Sequence, residues 1–246
     1  MKQYGAFAHC YDRMMHDVDY AAWTDYLISF LQEYSVKTAV DCACGTGMIT
    51  TALAKAGYTM IGTDISEDLL MEARTNALKR GMRFLPFVCQ DMTALEVHKP
   101  VDAVICTCDG VNYLTEDGDA ERFFQHALAA LRQGGLLLFD VSSAYKLEKT
   151  LGNETFTEIT EDYAYIWSNA FDPAKNLCEM DLTFFVRDGG IWRRFSEQHL
   201  QRAYRASELK KLLERNGFEV AGIYDAFSRK PAREDSERIQ FAARKI

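Results

Sequence analysis

Thr38-Ala-Val-Asp-Cys-Ala-Cys-Gly-Thr-Gly47, followed by Met60-Ile-Gly-Thr-Asp64, is the stretch on which the reading of this chain turns. The apolar residues up to Val40 suit a central strand of a parallel sheet, covered on both faces. Gly45 and Gly47 then allow the backbone to bend sharply and to approach a ligand closely. Residues 48–55 continue as a helix, with Ile49, Ala52, Leu53 and Ala56 on one face. Asp64 closes the second strand, where a carboxylate can accept both hydroxyls of a ribose. A nucleoside-containing cofactor is expected at this point.

Outward from that unit, strands and helices alternate to about residue 142, which implies an α/β fold: a doubly wound, mostly parallel sheet with helices on both faces. Ser66 is a good N-cap for a helix whose Leu69, Leu70, Ala73 and Ala77 face inward, and Gly81 ends it. A third strand is expected over 84–89, stopping at Gln90-Asp-Met92, and a fourth over 102–107, opening into Cys108-Asp-Gly-Val-Asn-Tyr113. Phe124, Ala127, Leu128 and Leu131 define a helix closed by Gly134-Gly135, before a fifth strand over 136–141. The rhythm then changes. Tyr163, Tyr165 and Trp167, then Leu182, Phe184 and Val186, alternate between turns at 172–176 and 188–190, which reads as an antiparallel meander. Parallel-fold rhythm resumes with a helix at 207–216 and closing strands near 218–224 and 238–245. One domain of seven main strands is expected. It comprises an N-terminal flap of two helices (1–36), a cofactor-binding core (37–142), a lid insertion (143–203), and a closing helix and strands (204–246).

The chain has 246 residues, 48% of them hydrophobic, and a net charge of −8. The negative balance disfavours non-specific nucleic-acid binding, although basic residues are in excess after residue 186. No run of 18 apolar residues and no signal-peptide core are seen, so a cytoplasmic protein without a membrane span is expected. Seven cysteines without regular spacing argue against a disulfide framework. Cys42, Cys44, Cys106 and Cys108 form two Cys-x-Cys pairs near strand ends. Zinc ligands are usually spaced more widely, and cysteine often packs as a small hydrophobe, so no metal is expected.

Asp41, Asp64 and Asp91 follow the first three strands, and Thr50 stands where a dinucleotide fingerprint would carry its third glycine. These residues resemble the class I S-adenosylmethionine-dependent methyltransferases. Val40-Asp-Cys-Ala-Cys-Gly-Thr-Gly47 is similar to that family's glycine motif, Gly62-Thr-Asp-Ile65 to its ribose motif, and Gln90-Asp-Met92 to its adenine motif. The meander resembles the substrate-covering insertion of the small-molecule branch that contains glycine and sugar N-methyltransferases. Asp140-Val-Ser-Ser143 and Glu197-Gln-His-Leu-Gln-Arg-Ala-Tyr204 look like that branch too. The resemblance implies S-adenosylmethionine as cofactor, with Ala43, Gly45 and Gly47 against its amino-acid part and Asp64 and Ile65 at the ribose. Asp91 and Met92 would meet the adenine, and Cys108 would run beneath the methionine portion. Tyr11 and Trp23, in the aromatic flap, could close over the ligand. Asp41 could instead bond the amides of the glycine turn.

Because the cofactor carries the activated methyl group, neither a nucleophilic triad nor a metal is required. The chain must orient an acceptor, exclude water and take up any proton released. Glu197 and His199 are two apart and share a strand face with Phe195 and Gln201. Both are candidate bases, as is Asp109 in the loop after the fourth strand. Methyl transfer to a nitrogen or oxygen of a small molecule is the expected activity. A modified tRNA or protein acceptor and a non-catalytic nucleotide-binding module are the alternatives.

Overall fold

A computed structural model of the chain describes residues 19–246. The proposed first flap helix and Tyr11 lie outside the described residues. The chain begins with α1 (Tyr20–Glu33), capped by the Asp19 carboxylate on the Ala22 amide at 2.9 Å. Its inner stripe of Trp23, Leu27, Phe30 and Leu31 is buried, as the helical spacing predicts.

The main sheet is built from β1 (Thr38–Cys42), β2 (Thr59–Asp64), β3 (Phe87–Cys89), β4 (Val101–Cys106), β5 (Leu131–Ser142), β10 (Phe218–Asp225) and β11 (Arg238–Lys245). Its order is β10-β11-β5-β4-β1-β2-β3, with β11 antiparallel to β5 and to β10 and the other pairs parallel. The connections are α2 (Met48–Lys55), α3 (Glu67–Lys79), α4 (Asp119–Ala130) and α5 (Ala206–Arg215). Alternate strand residues bury on opposite faces. Val40, Val104, Leu137 and Phe139 join α4 and α5 in one core layer, while Ala39, Ile105, Leu136 and Leu138 join α1 and α2 in the other. Phe139 stacks on Phe241 across β5 and β11, with ring centroids 4.7 Å apart.

Between β5 and α5 a separate antiparallel sheet is inserted, in the order β6 (Thr155–Ile159), β7 (Tyr163–Asp172), β8 (Leu177–Asp188) and β9 (Ile191–Arg202). It packs through Cys178, Met180, Trp167 and Leu182 on Leu147 and Leu151 of the single π turn Lys146–Leu151. The meander is thus present where alternation placed it.

Two boundaries differ from expectation. β3 starts at Phe87, because Pro86 has no N–H to give to a ladder, and Phe84 lies 90% exposed outside it. Helix α4 stops at Ala130 rather than at the glycine pair. Leu131 is already extended and pairs with Val101, and the glycines fall inside an irregular start of β5.

Gly47 caps α2 with φ +70°, and a Cβ there would lie 2.7 Å from the Phe87 ring. Gly47→Ala should therefore cost about 2–4 kcal/mol, combining left-handed strain with overpacking. A urea-denaturation midpoint equal to that of the parent would contradict this.

Candidate active site

The sheet order reverses between β1 and β4, and in open α/β sheets ligands bind beyond the strand carboxyl ends at such a point. A cavity lies there. Its walls include Tyr20, Asp41, Ala43, Gly45, Asp64, Ile65, Met92, Cys108, Gly110 and Tyr113.

The glycine turn is built around left-handed residues, with φ +53° at Ala43 and Gly45 and +70° at Gly47. Asp64, 7% exposed, anchors it from the next strand: Oδ2 accepts from the Gly45 amide at 2.9 Å and Oδ1 from the Ser66 amide at 2.8 Å. Asn76 Nδ2 holds the Thr46 carbonyl at 3.2 Å. A carboxylate offers about four lone-pair sites, so Asp64 retains accepting capacity toward the cavity.

Asp41 does not bond the amides of the turn. Its Oδ2 accepts from Thr50 Oγ1 at 2.5 Å, while its buried Oδ1 has no hydrogen-bond partner. Burial, with Asp64 adding repulsion, pushes its carboxyl up to about 7 against the relief that Thr50 gives. A buried acceptor without a donor, in the wall of a cavity, suits a cationic ligand group. Thr50, in place of a third glycine, is thus the hydroxyl that orients Asp41.

Among the other expected cofactor residues, Ala43, Gly45, Asp64, Ile65, Met92 and Cys108 line the cavity. Ile65 is 70% exposed at its rim. Gly47 does not line it; the absence of a side chain there serves packing against Phe87. Asp91 is exposed and caps the 3₁₀ turn Met92–Ala94, with Oδ1 accepting from Thr93 N and Oγ1, both at 2.8 Å. Trp23 corrects the flap reading: it is buried in the core, edge-on to Phe227 at 4.6 Å, and Tyr20 one helical turn earlier reaches the cavity instead. An aromatic stripe on a helix does not reveal which of its rings looks past the core.

Cys42 and Cys106 end the neighbouring strands β1 and β4, and Cys44 and Cys108 follow in the loops beyond them. Burial pushes the Cys42 thiol up to about 12 and raises those of Cys44, Cys106 and Cys108 as well, so they remain neutral. Among the described residues no three His, Cys, Asp or Glu side chains are grouped to hold a metal ion.

The inserted sheet meets this site through β9. Phe195, Glu197, His199 and Gln201 share its inner face, as their spacing predicts, and His199 is 7% exposed. His199 Nδ1 lies 3.1 Å from Tyr113 Oη, in the loop that lines the cavity. Burial pushes the imidazole below its ordinary pKa, partly opposed by Asp109, which keeps it neutral at neutral pH. Glu197 sits opposite Leu182 on the same face. Asp109 is engaged on both oxygens, by Arg238 Nη2 at 2.7 Å and Gln201 Nε2 at 2.6 Å. A carboxylate so held is a poor candidate for a mobile proton acceptor. Arg238 escaped the sequence reading, although an arginine opening the mostly apolar strand run Ile239-Gln-Phe-Ala-Ala243 was a signal for it.

This arrangement defines the class first: an α/β enzyme that binds a nucleoside cofactor at the switch point of a seven-stranded sheet. Residues 39–135 match the methyltransferase domain family. The chain is 36% identical to a Geobacillus sp. (strain WCH70) protein provisionally named a methyltransferase, over 98% of this chain and 99% of that one. A crystal structure of an S-adenosylmethionine-dependent methyltransferase from Clostridium acetobutylicum ATCC 824 superimposes with a TM-score of 0.90 at 32% identity, covering 98% of both chains. A glycine/sarcosine N-methyltransferase of Parasynechococcus marenigrum (strain WH8102) is 29% identical over 47% of this chain and 42% of its own length. The chain belongs to the class I S-adenosylmethionine-dependent methyltransferases.

Proposed function

We propose that this enzyme methylates a nitrogen or oxygen of a small molecule held between the inserted sheet and the cavity. The observation that carries this reading is the meeting of His199 on β9 with Tyr113 in the cavity wall. The glycine/sarcosine relative points to the same acceptor class. When bound, S-adenosylmethionine supplies an activated methyl group for in-line displacement. Asp64 would accept the ribose hydroxyls, Asp41 Oδ1 the cofactor's ammonium, and Met92 would lie at the adenine with Asp91 behind it. The backbone of Ala43 and Gly45 would follow the amino-acid portion, with Gly47 shaping the turn, and Ile65 and Cys108 would flank the ligand.

Neutral His199 would take the proton shed by an amine or hydroxyl as it is methylated, with Tyr113, 3.1 Å from Nδ1, holding the ring. Glu197, on the same face, would contact the acceptor. General-base catalysis contributes about 10²–10⁴-fold, so His199→Gln should lower kcat by roughly a hundredfold or more. Its affinity for S-adenosylmethionine should stay within about twofold of the parent's, since His199 lies outside the cavity wall. Equal kcat values would remove His199 from this role.

Within the basic C-terminal stretch that motivates the tRNA reading, Arg202, Arg215, Arg229, Arg233, Arg238 and Arg244 are engaged in intramolecular ion pairs, which favours the small-molecule reading over it. Among the described residues no helix is long and apolar enough to cross a membrane. We place the enzyme in the cytoplasm. Incubation with methyl-labelled S-adenosylmethionine, a low-molecular-weight cell extract and bulk tRNA tests the reading. Label is expected in the small-molecule fraction; label in the tRNA would overturn it.

A further inference from the structure

Asp109 occupies an unusual place. It follows Cys108 and precedes Gly110, both of which line the cavity. Cys108 and Asp109 both have φ +55°, a conformation that residues with a Cβ adopt only when their surroundings impose it. From behind, the Asp109 amide donates to Asp140 Oδ2 at 3.1 Å, and Arg238 bridges the Asp109 and Asp140 carboxylates. Asp140 is fully buried on β5, and Arg238 opens β11, paired with Ser142. The back of the turn is therefore fastened to the rigid sheet.

In front, the same carboxylate faces the inserted sheet. Gln201 Nε2 donates to Asp109 Oδ2 at 2.6 Å. Further contacts follow along the loop: Asn112 Nδ2 donates to the Arg202 carbonyl at 2.9 Å, Tyr113 meets His199, and Arg202 Nη1 donates to the Thr115 carbonyl at 3.3 Å. The carboxylate of the turn that walls the cavity thus gives one oxygen to β9, through Gln201, and the other to β11, through Arg238.

Taking the cavity as the cofactor's, as proposed above, we infer that Asp109 is a positioning residue that couples cofactor binding to the placement of β9. Arg238 and Asp140 hold the strained turn in one shape, and Gln201 reads that shape out to the strand carrying His199 and Glu197. Occupation of the cavity presses on Cys108 and Gly110, and Asp109, between them, carries that segment's side-chain hydrogen bond to Gln201 on β9, beside the contact that Tyr113 makes with His199. Coupling of this kind is reciprocal, so whatever settles β9 must also tighten the cofactor cavity. It also explains why a carboxylate beside the reacting groups is spent on two hydrogen-bonding partners instead of serving as a base.

Gln201→Leu cuts the link on the lid side only. The inserted sheet remains anchored through Asn112 and through its contacts with Leu147 and Leu151, so the variant should still fold cooperatively, with a thermal midpoint lowered by the loss of one hydrogen bond to Asp109. The test is hydrogen exchange over β9 in full-length protein, with and without saturating S-adenosylhomocysteine, alongside calorimetric affinity. In the parent, the ligand is expected to slow exchange in β9 about tenfold; in Gln201→Leu, where the Asn112 and Tyr113 contacts remain, that protection should shrink to about threefold or less while affinity falls by no more than about tenfold, the factor that the coupling itself supplies. Asp109→Asn, which loses the ion pair with Arg238, should reduce the protection too. Equal ligand-induced protection of β9 in parent and Gln201→Leu would overturn the inference, as would its absence in a parent that binds the ligand. Failure of the parent to bind S-adenosylhomocysteine at all would instead sink the cofactor placement from which the inference starts.

Discussion

Asp64→Ala is expected to weaken S-adenosylmethionine binding by at least roughly a hundredfold, because two hydrogen bonds to a charged acceptor are worth about 1.5–3 kcal/mol each. The carboxylate is nearly buried and already holds the Gly45 and Ser66 amides, so it is oriented before any ligand arrives. The same bonds mean that the substitution also loosens the glycine turn. Calorimetry should therefore be paired with Asp64→Asn, which keeps one acceptor oxygen and should lose less affinity than alanine. If alanine binds the cofactor as tightly as the parent, the ribose assignment is wrong.

Asp41 should make cofactor binding depend on pH. Its carboxyl is pushed up to about 7 by burial, and only the ionised form attracts a cation. Affinity should be constant above that value and fall about tenfold per pH unit below it, reaching roughly a hundredfold loss at pH 5. Binding near pH 6.5 should expel a proton, visible as a dependence of the calorimetric heat on buffer ionisation. Asp41→Asn should bind more weakly at pH 8 and show neither the pH dependence nor the proton release. An unchanged pH profile in that variant would assign the titration to another group. The sign for stability of the free protein is the opposite of that for a salt-bridged acid. The native state keeps this proton between 3.8 and about 7 while the unfolded chain loses it, so stability falls as pH rises through that window.

Much of this enzyme was legible along the chain. The run from Thr38 to Gly47 and the acid at Asp64 required only local facts: an apolar strand, a turn that demands left-handed backbone, and a carboxylate at a strand end. Periodicity likewise separated the parallel core from the meander, because the two depend on different repeats of apolar residues. Boundaries set by single partners were harder to see. Leu131 joins β5 instead of α4 because Val101 waits beside it, thirty residues earlier in the sequence.

The side chains that set the chemistry were the least legible. Asp109 reads in sequence as a free acid near the reacting groups, and only tertiary packing shows both its oxygens taken, by Gln201 and by Arg238. Trp23 and Tyr20 share a helix, yet Trp23 packs into the core against Phe227 while Tyr20 lines the cavity. His199 gains its partner Tyr113 from 86 residues away. The sequence alone therefore determined the alternation of strands and helices and the glycine turn, which rest on neighbours a few residues apart, and the cofactor class through the resemblance of three short motifs to a known family. Which acids are paired, which ring of the first helix lines the cavity and which side chain His199 meets were decided in three dimensions, since burial and pairing across distant segments set the charge and direction of each side chain.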